Sequence, residues 1–235
     1  MVSNPIIVAM DVAEVEEARR LSAQLAPVVG AIKIGKELFV TSGPDIVREL
    51  RAAGASVFLD LKFHDIPNTV ARAVTAAVRL DVQMLTIHAS GGVEMMRAAE
   101  EAAQAEAARL GRPAPLVLGV TVLTSMDEAN LRELGVTRGV AAQVEHLADL
   151  AVKAGLRGLV CSPLEVPMLR ARLPKDFALV TPGIRPAGPG GDDQKRTMTP
   201  KEAIAAGSTW LVIGRPIYAA SNPKAAAEAI LASLA

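Results

Sequence analysis

Apolar residues along the chain follow two alternating rhythms. Short β-rich runs occupy residues 6–10, 31–35, 55–59, 84–88, 116–123, 158–161, 178–181 and 210–213. Between and after them, apolar residues return every three or four positions, the spacing of an amphipathic helix. Val15, Ala18, Leu21 and Leu25 mark such a helix over 13–26, and another is predicted over 45–53, closed by Gly54. Val70, Val74, Ala77 and Val78 mark the next, opened by Ile66-Pro67, with proline suited to a first turn. Further helices are expected from Gly91-Gly92 to Leu110, near 127–134, over 139–154 and over 223–234. Lys36-Glu37 reads as the start of a solvated helical face, and Thr41-Ser42-Gly43-Pro44 as a turn.

Strands that alternate with helices imply a parallel sheet. Eight such units in a chain of 235 residues predict a closed (β/α)8 TIM barrel, as a single domain over 1–235. A doubly wound open sheet is the structural rival. No Gly-x-Gly-x-x-Gly follows the first strand, which weakens its dinucleotide-binding form.

One junction carries most of the chemistry. Asp60, Lys62 and Asp65 place three charges of alternating sign where the third strand gives way to a helix. Alternation along a strand sends Asp60 and Lys62 to the same side. A lone Asp-x-Lys at a strand end reads as a surface ion pair. Here other strand ends add to it: Asp11 after strand one, Lys33 on strand two and Thr124 after strand five. In a barrel these residues converge on one mouth. Carboxylates and lysines gathered there would have to pair with one another, and pairing can hold a lysine charged and aimed.

Strand seven runs into Gly183-Ile184-Arg185 and strand eight into Gly214-Arg215. Those two ends are a recurring phosphate site in barrels, where glycines admit the anion to backbone N–H groups and arginine binds it. The Gly/Pro/polar segment that follows, about 185–197, reads as a mobile loop over the site.

Composition removes other classes. Twenty-five basic residues balance 25 acidic ones, which argues against general nucleic-acid or anionic-membrane binding. Aromatic residues make up only 3%, too few for a base-stacking surface. No run reaches the roughly 18 apolar residues of a membrane span, and residues 1–11 lack a signal pattern. A soluble, cytoplasmic protein is expected. Cys161 reads as a buried, inert thiol, and Met95-Met96 as helix packing. His64 and His146 show no metal-ligand spacing, and no metal site is expected. For His88, at the end of strand four, a barrel-interior hydrogen bond and catalysis both remain open.

The run Asp60-Leu61-Lys62-Phe63-His64-Asp65-Ile66-Pro67-Asn68-Thr69 resembles the signature of bacterial-type orotidine 5′-phosphate decarboxylases. Lys33-Ile34-Gly35, Leu123-Thr124-Ser125, Pro182-Gly183-Ile184-Arg185, Asp192-Asp193-Gln194-Lys195-Arg196 and Ile213-Gly214-Arg215 extend the resemblance over the chain. It implies conversion of orotidine 5′-phosphate to uridine 5′-phosphate and carbon dioxide, without metal or organic cofactor, by a homodimer. It further implies that Lys33, Asp60, Lys62 and Asp65 form the catalytic network, with Lys62 donating the proton to C6. Asp11 and Lys33 would hold ribose hydroxyls, and Thr124 the pyrimidine. Gln194, Arg185, Gly214 and Arg215 would hold the phosphate, with 185–197 as the gripping loop. Asp65, Ile66 and Thr69 would reach the partner's site. The alternative is a magnesium-dependent sugar-phosphate lyase or decarboxylase on a related barrel. Such relatives share Asp-x-Lys-x-x-Asp but resemble one another in a carboxylate near the end of strand two, where this chain has Lys33.

Overall fold

The computed structural model of the protein describes residues 4–186 and 197–234. Eight parallel strands close into a barrel in sequential order: β1 (Ile6–Met10), β2 (Ala31–Ile34), β3 (Val57–Phe63), β4 (Met84–His88), β5 (Leu116–Val120), β6 (Gly158–Val160), β7 (Ala178–Thr181) and β8 (Trp210–Ile213). Around them run α1 (Val15–Leu25), α2 (Lys36–Ser42), α3 (Asp45–Ala52), α4 (Pro67–Arg79), α5 (Gly92–Arg109), α6 (Glu128–Glu133), α7 (Val140–Ala154), α8 (Val166–Arg170), α9 (Pro200–Ala206), α10 (Arg215–Tyr218) and α11 (Pro223–Ala232). The (β/α)8 expectation is met.

Alternation divides the core in two. Ile7, Ala9, Ala31, Phe58, Met84, Leu118, Val180 and Val212 point inward and plug the barrel. Their neighbours Ile6, Val8, Ile32, Val57, Leu59, Leu85 and Leu211 point outward against the helices. Strands buried on both faces need apolar residues at nearly every position, which is why the runs read as continuous rather than alternating. Met95 and Met96 lie in the outer layer, as helix packing.

β2 and β6 each end one residue short of expectation, and β5 and β3 depart further, for the same reason. β5 stops at Val120, not 123, because its neighbours end there: Val120 pairs with His88 on one side and Val160 on the other. β3 does not stop at 59. It continues to Phe63, which pairs with Ile87 while Leu59 pairs with Leu85, so four residues of β3 span two of β4. A strand lasts as long as it has partners, and partners are not a local property. The expected turn at 41–44 is shortened because α2 runs to Ser42. The brief helices α8, α9 and α10 had no periodic signal long enough to mark them. Among the described residues, no helix is long and apolar enough to cross a membrane.

Candidate active site

The inward positions continue past the plug to the carboxyl ends of the strands. Ala9 is followed by Asp11, Phe58 by Asp60 and Lys62, Val120 by Val122 and Thr124, and Val212 by Gly214. They line a cavity of about 300 Å³ together with Lys33, Arg185 and Arg215. Asp11, Lys33, Asp60, Lys62, Thr124, Arg185, Gly214 and Arg215 are therefore brought together as expected from their strand ends.

The floor is a chain of charges. Lys33 Nζ donates to Asp11 Oδ1 at 2.9 Å and stands 3.8 Å from Asp60 Oδ2. Lys62 Nζ donates to the other oxygen, Asp60 Oδ1, at 2.8 Å. Asp60 and Lys33 are nearly buried, with side chains 13% and 10% exposed. Burial pushes the Asp60 acid up, but Lys33, Lys62 and the hydrogen bonds from Lys62 and Thr86 outweigh it. The net effect holds the carboxyl below its ordinary range. Gly35 belongs to the same arrangement. A Cβ there would sit 3.3 Å from Lys33 Nζ and 3.4 Å from Asp11 Oδ1, tight against the ion pair.

Lys62 has φ +54°, left-handed backbone in a non-glycine residue. That conformation costs about 1–3 kcal/mol. It falls inside the irregular stretch of β3, where the regular ladder is broken. Lys62 N–H donates instead to Thr86 Oγ1 at 2.9 Å, and Thr86 Oγ1 lies 2.9 Å from Asp60 Oδ1. Hydrogen bonds to charged groups contribute about 1.5–3 kcal/mol each, enough to hold the strained residue. The irregularity re-aims the lysine while keeping it beside Asp60.

The rim above β7 and β8 is cationic and rich in glycine. Gly183 has φ +78°, which lets the chain turn back after β7. Arg185 N–H donates to Met198 O at 2.9 Å and its Nη1 to Ile184 O at 2.9 Å. With Arg215 on the same cavity, two guanidinium groups beside Gly183 and Gly214 suit a phosphate-sized anion.

Three expected residues are not in this cavity. Asp65, Ile66 and Thr69 stand exposed where β3 leads into α4. Asp65 Oδ1 accepts from Ile66 N–H at 2.6 Å. Gln194 and the motif 192–196 lie outside the described residues, as does most of the expected loop.

Two contributors, Thr86 and Tyr218, had no place in the sequence reading. Thr86 is fully buried, and its signal is its parity with Met84 and His88 on β4. Tyr218 lines the cavity one helical turn beyond Arg215. Burial, then the Asp11 carboxylate, pushes its hydroxyl pKa up. His88 packs on His64 at 5.4 Å between ring centroids. Burial, then His64 and Lys62, pushes its pKa down, so near neutral pH it is uncharged. Cys161 is buried and free, with its thiol pushed up by burial and by Glu165. Among the described residues no group of three or more His, Cys, Asp or Glu could hold a metal ion.

The family described as orotidine 5′-phosphate decarboxylase / HUMPS matches residues 4–230. The chain is 54% identical to orotidine 5′-phosphate decarboxylase of Pseudoalteromonas translucida, over 95% of this chain and 94% of that protein. It is 51% identical to that of Moorella thermoacetica, over 97% and 91%. The crystal structure of orotidine 5′-phosphate decarboxylase from Lactobacillus acidophilus superposes with a TM-score of 0.88, at 40% identity and covering 99% of each chain. By sequence over nearly its whole length and by fold, the chain belongs to the orotidine 5′-phosphate decarboxylase / HUMPS family.

Proposed function

We propose that this chain is a carboxy-lyase that converts orotidine 5′-phosphate to uridine 5′-phosphate and carbon dioxide in pyrimidine biosynthesis. The observation that carries the reading is the Lys33–Asp60–Lys62 array on the floor of a cavity with Arg185 and Arg215 above it. Close relatives bearing that activity's name support it.

In this reading the bond from C6 to its carboxylate breaks, and the electron pair stays on C6. The ammonium of Lys62 faces that developing charge, stabilises it and then gives C6 a proton. Carbon dioxide leaves, and Lys62 regains its proton from water. Asp60 keeps Lys62 aimed, and sits beside the departing carboxylate. A preformed array needs no reorganisation when charge develops, which favours the transition state over the bound substrate. Asp11 and Lys33 hold ribose hydroxyls, and Thr124 meets the pyrimidine. Arg185, Gly214, Arg215 and Gln194 take the phosphate. The segment 185–197 enters as the phosphate-gripping part of one domain over 1–235, on sequence grounds. No metal or organic cofactor takes part.

The reading includes a homodimer in which Asp65, Ile66 and Thr69 complete the partner's site. Their exposure at the mouth supports this, as do the apolar side chains Ile66 and Val40, 66% and 83% exposed, which a second copy would cover. It also includes a cytoplasmic setting.

The test is ultraviolet detection of orotidine 5′-phosphate loss by purified protein, before and after exhaustive chelation. Equal turnover in both is expected. No turnover would overturn the reading, and turnover restored only by magnesium would favour the lyase alternative.

A further inference from the structure

Thr86 stands at the junction of the two features that make the floor unusual, the left-handed Lys62 and the buried Asp60. Its side chain is fully buried on β4. Its Oγ1 accepts from Lys62 N–H at 2.9 Å and lies 2.9 Å from Asp60 Oδ1. An ionised carboxylate can only accept, so the hydroxyl proton of Thr86 goes to Asp60. The same Oδ1 receives Lys62 Nζ at 2.8 Å. Backbone of Lys62, hydroxyl of Thr86, carboxylate of Asp60 and ammonium of Lys62 thus form a closed ring. Without the hydroxyl, a half-buried N–H and a carboxylate oxygen would each lose a partner where β3 and β4 have no regular ladder to replace it.

We propose that Thr86 is a positioning residue for the reaction: through one hydroxyl it fixes both the backbone that carries Lys62 and the carboxylate that aims it. This rests on the decarboxylase reading. No substrate contact is assigned to Thr86. Its influence passes through Lys62 and Asp60, so removing it changes the rate of the chemical step more than the binding of substrate.

Thr86→Val keeps the shape and removes the hydroxyl, whereas Thr86→Ser keeps the hydroxyl. Thr86→Val is expected to lower kcat roughly 10- to 100-fold, the worth of a hydrogen bond to a charged group. KM should stay within about threefold. Thr86→Ser should recover most of the loss. The charged and titratable groups around Asp60 are Asp11 and Lys33 from the β1 and β2 side, Lys62 on its own strand, and His88 on β4, itself beside His64 and Lys36. All are unchanged in the variant, so loss of the hydroxyl should raise the Asp60 titration.

That titration can be followed by carboxyl-carbon NMR of the purified protein, independently of turnover. An inactive wild type would overturn the decarboxylase reading, while the NMR comparison still decides the role of Thr86 in holding Asp60. A folded Thr86→Val with kcat within about twofold of wild type and an unmoved Asp60 titration would overturn the inference. So would Thr86→Ser as impaired as Thr86→Val, since shape rather than the hydroxyl would then matter. If the valine variant fails to fold, Thr86→Ala against Thr86→Ser reads the same two quantities.

Discussion

Asp60 and Glu106 are carboxylates each flanked by two cations. Asp60 lies between Lys33 and Lys62 at the barrel mouth. Glu106 lies between Arg79 and Arg109, tying α4 to α5. Both carboxylates are nearly buried, and both have their pKa pushed down, Glu106 to about 2 by hydrogen bonds from Arg109 and Arg79. The cations differ. Arg79 and Arg109 are each 60% exposed, and their forks close on the carboxylate at 2.7–2.8 Å. Every short contact there is used up inside the cluster, and arginine does not give up its proton. At the mouth, Lys33 stays 3.8 Å from Asp60, and the ammonium of Lys62 borders an open cavity. Lysine can lose a proton. On the proposed function, the difference between a clamp and a reactive site is therefore the identity of the cations and whether they have somewhere else to point.

Replacing Lys62 tests this contrast most severely. Lys62→Ala should nearly abolish turnover while circular dichroism shows an intact fold. Near-normal turnover in the folded variant would place both clusters in the structural class.

A mixing experiment asks whether the mouth is complete in one chain. In the proposed homodimer, the Lys62→Ala and Asp65→Ala variants should each be nearly inactive. Equal amounts, allowed to exchange, make about half the dimers mixed, each with one site carrying both lesions and one carrying neither. Recovery of about a quarter of wild-type activity per total site is expected. No recovery despite verified exchange would remove Asp65 as the partner's contribution or show that the two sites cannot act independently.

At the rim, Arg215→Ala should raise KM roughly 10- to 100-fold, the worth of a charge-assisted bond to phosphate. Orotidine lacking its phosphate should be handled alike by variant and wild type, and poorly. Efficient use of it by both would remove Arg215 as a phosphate ligand.

The smallest effect is expected at the clamp. Glu106→Gln should leave kcat and KM unchanged and lower the Tm by only a few degrees, since both arginines face water. Because Glu106 has a lower pKa folded than unfolded, its contribution is present above the ordinary value of 4.5 and fades as pH falls toward about 2. The wild type should therefore lose its Tm advantage over the variant across that window. A constant difference would show that Glu106 acts through packing rather than charge.

What the sequence determined by itself is what local rules govern. Short apolar β-rich runs and the return of apolar positions every three or four residues depend only on neighbours along the chain, so eight βα units could be read directly. Strand parity brought Asp11, Lys33, Asp60, Thr124 and Gly214 to one mouth, where Arg215 joins them from the start of α10. The signature at 60–69 was legible as a motif, but its two halves part company in the fold: Asp60 and Lys62 face inward, while Asp65, Ile66 and Thr69 face out. Only the tertiary structure decided the slip of β3 against β4, the left-handed Lys62 it produces, and the hydroxyl of Thr86 that holds both. It also decided that Glu106 would be a clamp, because Arg79 reaches it from 27 residues away. Each of these depends on which strand or helix lies alongside. That is settled by closure of the barrel, and no window of sequence contains it.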